Sequence, residues 1–171
     1  MKIRQVTFLG FMLAVVVVLS IIESFFLPLP FLPPNVRPGL SNIVVMFCVF
    51  CVGRGQAVSL GVAKSLFVLL TRGPVAGLLS LCGGLLSIAV IILLLRLFEG
   101  EGAAKMSYGA ISVAGAIAHN LGQLAAVMIL VATPVIIYYL PVLIVSGIAT
   151  GLLTGTLLKI LMPALVALRR N

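Results

Sequence analysis

The 171-residue sequence is 63% apolar and only 8% charged, and its mean hydropathy is +1.37. Soluble domains are roughly 45–50% apolar and about 25% charged, and a small one leaves much of its surface in water, so this composition excludes an ordinary soluble domain and predicts an integral membrane protein. The net charge of +8 does not indicate nucleic-acid binding, because the eleven Lys and Arg residues are scattered between apolar runs and are not clustered.

Apolar segments divide the chain into six predicted helices. A membrane-spanning helix needs about 20 mostly apolar residues, and prolines or glycines separate the segments that reach or approach this length. The second and third segments are shorter than the others. We therefore expect an all-α integral membrane protein, one domain over residues 1–171, with transmembrane spans at about 6–26, 40–52, 56–71, 74–97, 107–131 and 135–162.

Basic residues between these spans predict the orientation of the chain, because cytoplasmic loops carry an excess of Lys and Arg. With the N-terminus inside, the outer side keeps only Arg37 and Arg72. The cytoplasmic side then carries Lys2, Arg4, Arg54, Arg96, Lys105, Lys159, Arg169 and Arg170. Both termini are therefore predicted to be cytoplasmic. The first segment lacks a small-x-small cleavage site, so we expect it to be a retained span and not a signal peptide.

Small residues recur at four-residue spacing, which favours close packing of helices in a membrane. Most of these series predict packing within the bundle: Ala57, Gly61 and Ser65; Ala110, Ala114, Ala118, Gly122 and Ala126; and Gly147, Gly151 and Gly155. Gly10 and Ala14, near the cytoplasmic end of the first span, have a second interpretation. They are candidates for a surface that docks a partner helix.

Lys64 lies near the middle of the third predicted span. An ionisable side chain inside a span is costly and is a functional hypothesis by default. Such a lysine pairs with another group, extends its charge to the membrane surface or loses its proton. Because this span is short, the second alternative stays open.

His119, Asn120 and Gln123 form a polar cluster at the centre of the fifth span. His119 and Gln123 are one helical turn apart and share a face. Ligand contact is one interpretation, and hydrogen bonding between helices is the other. Ligand contact would require this face to turn into the bundle beside Lys64.

Three further polar residues belong to the half of the bundle predicted to be outer. Glu23 lies near the end of the first span, Asn42 begins the second, and Arg72 ends the third. Polar groups thus gather from the middle of the bilayer outwards, as in a pocket that is reached from outside. The charges of this pocket are mostly positive, so an anionic or carbonyl-rich ligand is favoured.

The residue inventory argues against catalysis and against a metal or other cofactor. The chain has three Glu residues and no Asp, so it cannot supply the Asp-rich magnesium–diphosphate site of soluble prenyl synthases. One His and three Cys are also too few for a conventional metal site. Cys48 and Cys51 have a redox or metal spacing, but they lie in an apolar helix and are better explained as packing thiols.

Four motifs together are similar to those of the Gx transporter family, which is also catalogued as heptaprenyl diphosphate synthase component I. The resemblance covers about residues 6–160. The motifs are PGLSNIV at 38–44, SLCGGLLS at 80–87, GAIAHNLGQ at 115–123 and LPVLIVSGIATG at 140–151. The family looks related to the substrate-binding S components of energy-coupling factor (ECF) vitamin transporters.

The resemblance implies a six-helix, S-component-like bundle in a bacterial cytoplasmic membrane. It implies a pocket for a small amphipathic molecule that is vitamin-, flavin- or quinone-like, and uptake energised by a transmembrane coupling subunit and two ATPases. The coupling subunit would contact Gly10 and Ala14, where S components usually have Ala-x-x-x-Ala. The alternative is a non-catalytic membrane or scaffold subunit associated with prenyl diphosphate or quinone metabolism.

Overall fold

The computed structural model describes residues 3–26, 41–97, 107–132 and 134–170. Almost all of these residues are helical, and the described part of the chain contains no strand, which confirms the all-α prediction. The six α-helices are α1 (Ile3–Phe26), α2 (Asn42–Phe47), α3 (Arg54–Arg72), α4 (Pro74–Leu97), α5 (Tyr108–Val131) and α6 (Leu140–Arg170). A π-helical turn, Cys48–Val52, extends α2, and a 3-10 turn, Pro134–Tyr139, precedes α6.

Four helical segments of the described chain are long and apolar enough to cross a membrane. They are Val6–Glu23, Pro74–Leu97, Tyr108–Val131 and Ile137–Ala164. Asn42–Val52 is apolar but shorter, and α3 does not reach the same hydropathy. These four helices support an integral membrane protein, whereas the arrangement with six spans stays a prediction.

Local chemistry accounts for the helix ends on either side of α3 and at the start of α5. Gly53 (φ 149°) and Gly73 (φ 92°) adopt positive φ angles, which a residue without Cβ tolerates, and they flank α3. Pro74 begins α4 at a position that needs no backbone N–H donor. The Ser107 side chain accepts a hydrogen bond from the Ala110 amide at 3.2 Å and caps α5.

The sixth helix departs from its predicted bounds at both ends. The sequence predicts a helix over 135–162, but the first residues form the 3-10 turn and α6 then continues through Pro163 to Arg170. A proline inside a helix removes one backbone hydrogen bond. The helix nevertheless continues past this position.

Glycines bring α4, α5 and α6 into close contact. A Cβ added to Gly122 would lie 2.7 Å from the Cys82 carbonyl oxygen of α4, and one added to Gly147 would lie 3.1 Å from Ile117 Cα of α5. A Cβ at Gly151 would overlap the backbone of Val113. The glycine series of α6 is therefore an internal packing surface, as predicted. Along each pair of neighbouring helices, the residue numbers of the contacts increase on one helix while they decrease on the other. Helices α4, α5 and α6 are therefore antiparallel neighbours.

The short helix α2 lies inside the bundle. All six of its residues are buried, and it packs against α1, α3 and α6. Phe47 is completely buried and packs near Phe8 of α1, with ring centroids 6.4 Å apart and ring planes tilted by 52°. An element enclosed by other helices does not have to match the thickness of a bilayer by itself, which is consistent with its length.

One face of α1 remains uncovered by the described chain. Met12 and Val16 are buried in the core, whereas Gly10, Ala14 and Val18 are exposed. A Cβ added to Gly10 would meet no atom within 4 Å among the described residues. The predicted docking pair therefore lies on an outward face.

We predict that Gly151→Ala lowers the free energy of unfolding by about 1–3 kcal/mol, because the new methyl group must displace Val113 in a packed interface. Thermal unfolding in detergent measures the change. Gly84→Ala is the matched control, since a Cβ there meets nothing within 4 Å and alanine is the better helix former. Equal stability of both variants would contradict the proposed α5–α6 contact.

Candidate functional site: a polar chamber between five helices

A small, partly open cavity of about 30 Å³ lies among the buried polar residues of the bundle. We call it the chamber. It lies toward the end of the bundle where α1 and α3 end and where α2 and α4 begin, and it extends to the middle of α5. Its lining residues are Ser20, Glu23, Ser41, Lys64, Val68, Arg72, Ala76, Ser80, His119 and Gln123.

Lys64 is the central charge of the chamber. Its side chain is 5% exposed, and Nζ donates a hydrogen bond to Asn42 Oδ1 at 2.6 Å. Asn42 lies behind this contact and does not itself line the cavity. Lys64 is therefore paired with a buried side chain, which is the first of the three alternatives that the sequence leaves open. A neutral amide satisfies one donor of the ammonium group but not its charge.

Two contacts join α1 to the neighbouring helices at the rim of the chamber. The Ser41 hydroxyl donates to Glu23 Oε2 at 3.2 Å, and the Arg72 guanidinium donates to the Ser20 carbonyl. Glu23 and Arg72 both act electrostatically on Lys64. The described lining of the chamber thus carries two cationic side chains and one carboxylate.

His119 and Gln123 form the inner wall. Their Nε2 atoms are 3.0 Å apart in a hydrogen bond along one face of α5, as the one-turn spacing predicts. Gly83 of α4 lies directly against them: a Cβ there would come within 2.9 Å of both side chains. The absence of a side chain at this position allows the polar face of α5 to approach α4.

Three polar atoms of the residues that line the chamber have no hydrogen-bond partner among the described residues. They are Ser20 Oγ, His119 Nδ1 and Gln123 Oε1, in side chains that are 1%, 2% and 4% exposed. Buried polar groups are nearly always hydrogen-bonded to protein or to water, and an exception calls for an explanation. A bound polar molecule would supply these contacts.

Asn120 is directed to a different place. Its Nδ2 donates to the Leu143 carbonyl at 2.8 Å and to Ser146 Oγ at 3.1 Å, both on α6. It does not line the chamber. Of the seven residues that the sequence suggests for a binding site, the structure brings five together and places Asn42 directly behind them. The five are Glu23, Lys64, Arg72, His119 and Gln123.

The serine residues of the chamber, above all Ser20 and Ser80, are not among the site residues that the sequence predicts. Ser20 lies three residues before Glu23, so the two share a helical face, and this spacing was available in the sequence. No local pattern distinguishes Ser80 from other serines in apolar helices. Its position depends on the packing of α4 against α3.

The described residues contain no group of three or more His, Cys, Asp or Glu side chains that could hold a metal ion. Cys48 and Cys51 lie outside the chamber lining. Cys48 is buried, and Cys51 Sγ contacts Met162 Sδ at 3.2 Å. These contacts agree with the interpretation of both residues as packing thiols.

A comparison with protein families identifies the chain. The family model described as heptaprenyl diphosphate synthase component I matches residues 12–161. The chain belongs to this family. The match includes every residue that lines the chamber, whereas Gly10 lies outside it. Neither a curated protein nor a solved structure matches the chain.

We predict that Asn120→Ala lowers the free energy of unfolding by about 1–2 kcal/mol, because it removes both hydrogen bonds to α6. Unfolding in detergent, followed in a double-mutant cycle with Ser146→Ala, measures the shared contribution. Additive effects of the two substitutions would show that Asn120 and Ser146 are not coupled, against the contact described here.

Proposed function

We propose that this chain is a non-catalytic membrane component that binds a small organic molecule through an anionic group in the chamber. The supporting observation is the environment of Lys64. Its ammonium group is buried beside a neutral amide, and unpartnered atoms of Ser20 and Gln123 line the same cavity. The chamber holds two cationic side chains and only one carboxylate, Glu23, so an anionic ligand would balance the remaining positive charge and add hydrogen bonds.

The dimensions of the chamber limit what enters it. A cavity of about 30 Å³ has room for roughly two water molecules. One carboxylate or one phosphate group would therefore fit only with a shift of neighbouring side chains, and Arg72, at the rim, is the natural group to move. The rest of a larger ligand has to lie outside the chamber.

The family description favours a phosphate group and a place in prenyl diphosphate synthesis. In this proposal the chain holds a diphosphate-bearing molecule in the bacterial cytoplasmic membrane, and a separate synthase subunit carries out the condensation. The amino-acid composition supports the assignment of catalysis to a separate subunit, because a chain without Asp offers no acidic cluster for magnesium. The proposal includes six spans with both termini in the cytoplasm. This orientation places the chamber in the outer half, so the synthase subunit receives the molecule only after the chamber releases it.

A second candidate is the substrate-binding subunit of an ECF-type uptake system. The observation that favours it is the exposed face of α1, where the small residues Gly10 and Ala14 would let a helix of a coupling subunit pack closely. Two ATPases would then supply the energy, and the ligand would be vitamin-, flavin- or quinone-like. Proteoliposomes distinguish the two roles: accumulation of a ligand only with ATPases present supports uptake, and co-purification with a soluble synthase subunit supports the first proposal.

We predict that Lys64→Met weakens binding of inorganic pyrophosphate by at least about tenfold, because a charge-assisted hydrogen bond to the ligand is lost. Isothermal titration of the purified protein in nanodiscs measures the affinity. Lys159→Met is the matched control, since Lys159 is an exposed lysine on α6 and is not among the residues that line the chamber. It should leave the affinity unchanged.

His119→Ala provides a second variant that keeps Lys64. It should weaken pyrophosphate binding by about 1–3 kcal/mol, while stability without ligand changes less. Equal affinity of wild type, Lys64→Met and His119→Ala would contradict the proposal. Loss of folding in His119→Ala with unchanged affinity per folded molecule would assign this residue to helix packing alone.

A further inference from the structure

A second cavity lies on the other side of the chamber wall, between α3 and α4. It has a volume of about 330 Å³ and an almost entirely apolar lining that includes Val62, Leu66, Leu78 and Leu81. We call it the α3–α4 groove. Its volume falls at the lower end of the range of small-molecule pockets, about 300–1,000 Å³. The leucines and Val62 are partly exposed, so the groove faces outward from the bundle.

One side-chain contact joins a residue of the groove to a residue of the chamber. Ser65 lines the groove and Ser80 lines the chamber, and their Oγ atoms are 3.3 Å apart. On both helices, one residue lines the chamber and the next residue in sequence lines the groove. Val68 and Ala76 line the chamber, and the residue that follows each of them lines the groove. The two cavities are thus adjacent along the same α3–α4 contact.

The serine pair can separate without leaving Ser65 unpaired. Ser65 Oγ also lies 2.9 Å from the carbonyl oxygen of Gly61, one turn earlier on its own helix. A hydroxyl has one hydrogen to donate, and the Gly61 carbonyl accepts it when Ser80 moves away. Ser80 Oγ, which lines the chamber, then needs a new partner, and a polar group of a ligand that passes between the two helices would supply it.

The two cavities differ sharply in chemistry. The chamber offers Lys64, Arg72 and unpartnered polar atoms, whereas the groove offers one serine among apolar side chains. A ligand that fills both has an anionic head and an apolar chain. Since the groove is one channel between two helices, it suits a molecule with a single chain.

We infer that the α3–α4 groove holds the apolar chain of a prenyl diphosphate whose terminal phosphate lies in the chamber, and that the molecule enters from the bilayer past Ser65 and Ser80. This inference rests on the proposed function, which places an anionic group in the chamber. It adds the route of entry and the residues that select for the chain. It also explains how so small a chamber serves a much larger ligand.

Val62→Trp tests the groove, and Val58→Trp is its matched control. Both valines are partly exposed on α3, 36% and 37%, and are one turn apart, but only Val62 lines the groove. The chain has no natural Trp, so each variant also carries a single fluorescent reporter. Affinities for farnesyl diphosphate and for inorganic pyrophosphate are measured by titration in nanodiscs.

We expect the wild type to bind farnesyl diphosphate more than tenfold more tightly than pyrophosphate, since burial of two methylene groups already accounts for about tenfold. Val62→Trp should remove most of this advantage and leave pyrophosphate binding within about twofold. Val58→Trp should leave both affinities unchanged. Leu66→Trp, at a second position in the groove, should repeat the effect of Val62→Trp and covers the case that Val62→Trp does not fold.

Other results would overturn the inference in distinguishable ways. Equal wild-type affinities for the two compounds, or equal losses in Val62→Trp and Val58→Trp, would refute the groove and leave the chamber proposal intact. Tighter binding of lysophosphatidic acid than of farnesyl diphosphate would refute the prenyl chain. Failure of both pyrophosphate and farnesyl diphosphate to bind would overturn the proposed function together with the inference.

Discussion

The buried ammonium group of Lys64 is the constraint on which the rest of the bundle depends. A lysine in the middle of an apolar helix has to find a partner or reach the membrane surface. Here it donates to Asn42 at 2.6 Å, and both side chains are buried. This contact fixes the beginning of α2 against the middle of α3, and it accounts for the position of so short a helix inside the bundle.

The same constraint collects the other polar groups. With α2 placed against α3, the Ser41 hydroxyl reaches Glu23, and Arg72 at the end of α3 reaches the Ser20 carbonyl of α1. The small residues of α4 and α5 then let His119 and Gln123 close the inner wall, where a Cβ at Gly83 would collide with both. Polar atoms and close helix packing are thus parts of one arrangement, and the family match covers all of it.

Much of this arrangement follows from local sequence signals. Proline, glycine and serine punctuation predicts the beginnings of α4 and α5, and helical spacing places His119 and Gln123 on a common face. Asn120 lies one residue from His119, about 100° around the helix, which agrees with its contact to α6. The inner position of α2 was not predictable, because an apolar segment of this length has the same sequence pattern in a membrane span and in a buried helix. The partner of Lys64, 22 residues away, likewise depends on tertiary packing.

The most direct test of the central claim is a distance between Lys64 and the bound anion. Solid-state NMR of the ¹⁵N-labelled protein in lipid, with pyrophosphate bound, measures the dipolar coupling between lysine Nζ and phosphorus, and the Lys64→Met variant assigns the signal. A direct ammonium–phosphate contact predicts a coupling that corresponds to about 3.5–4 Å between the two nuclei. Pyrophosphate that binds with no coupling to Lys64 would contradict it.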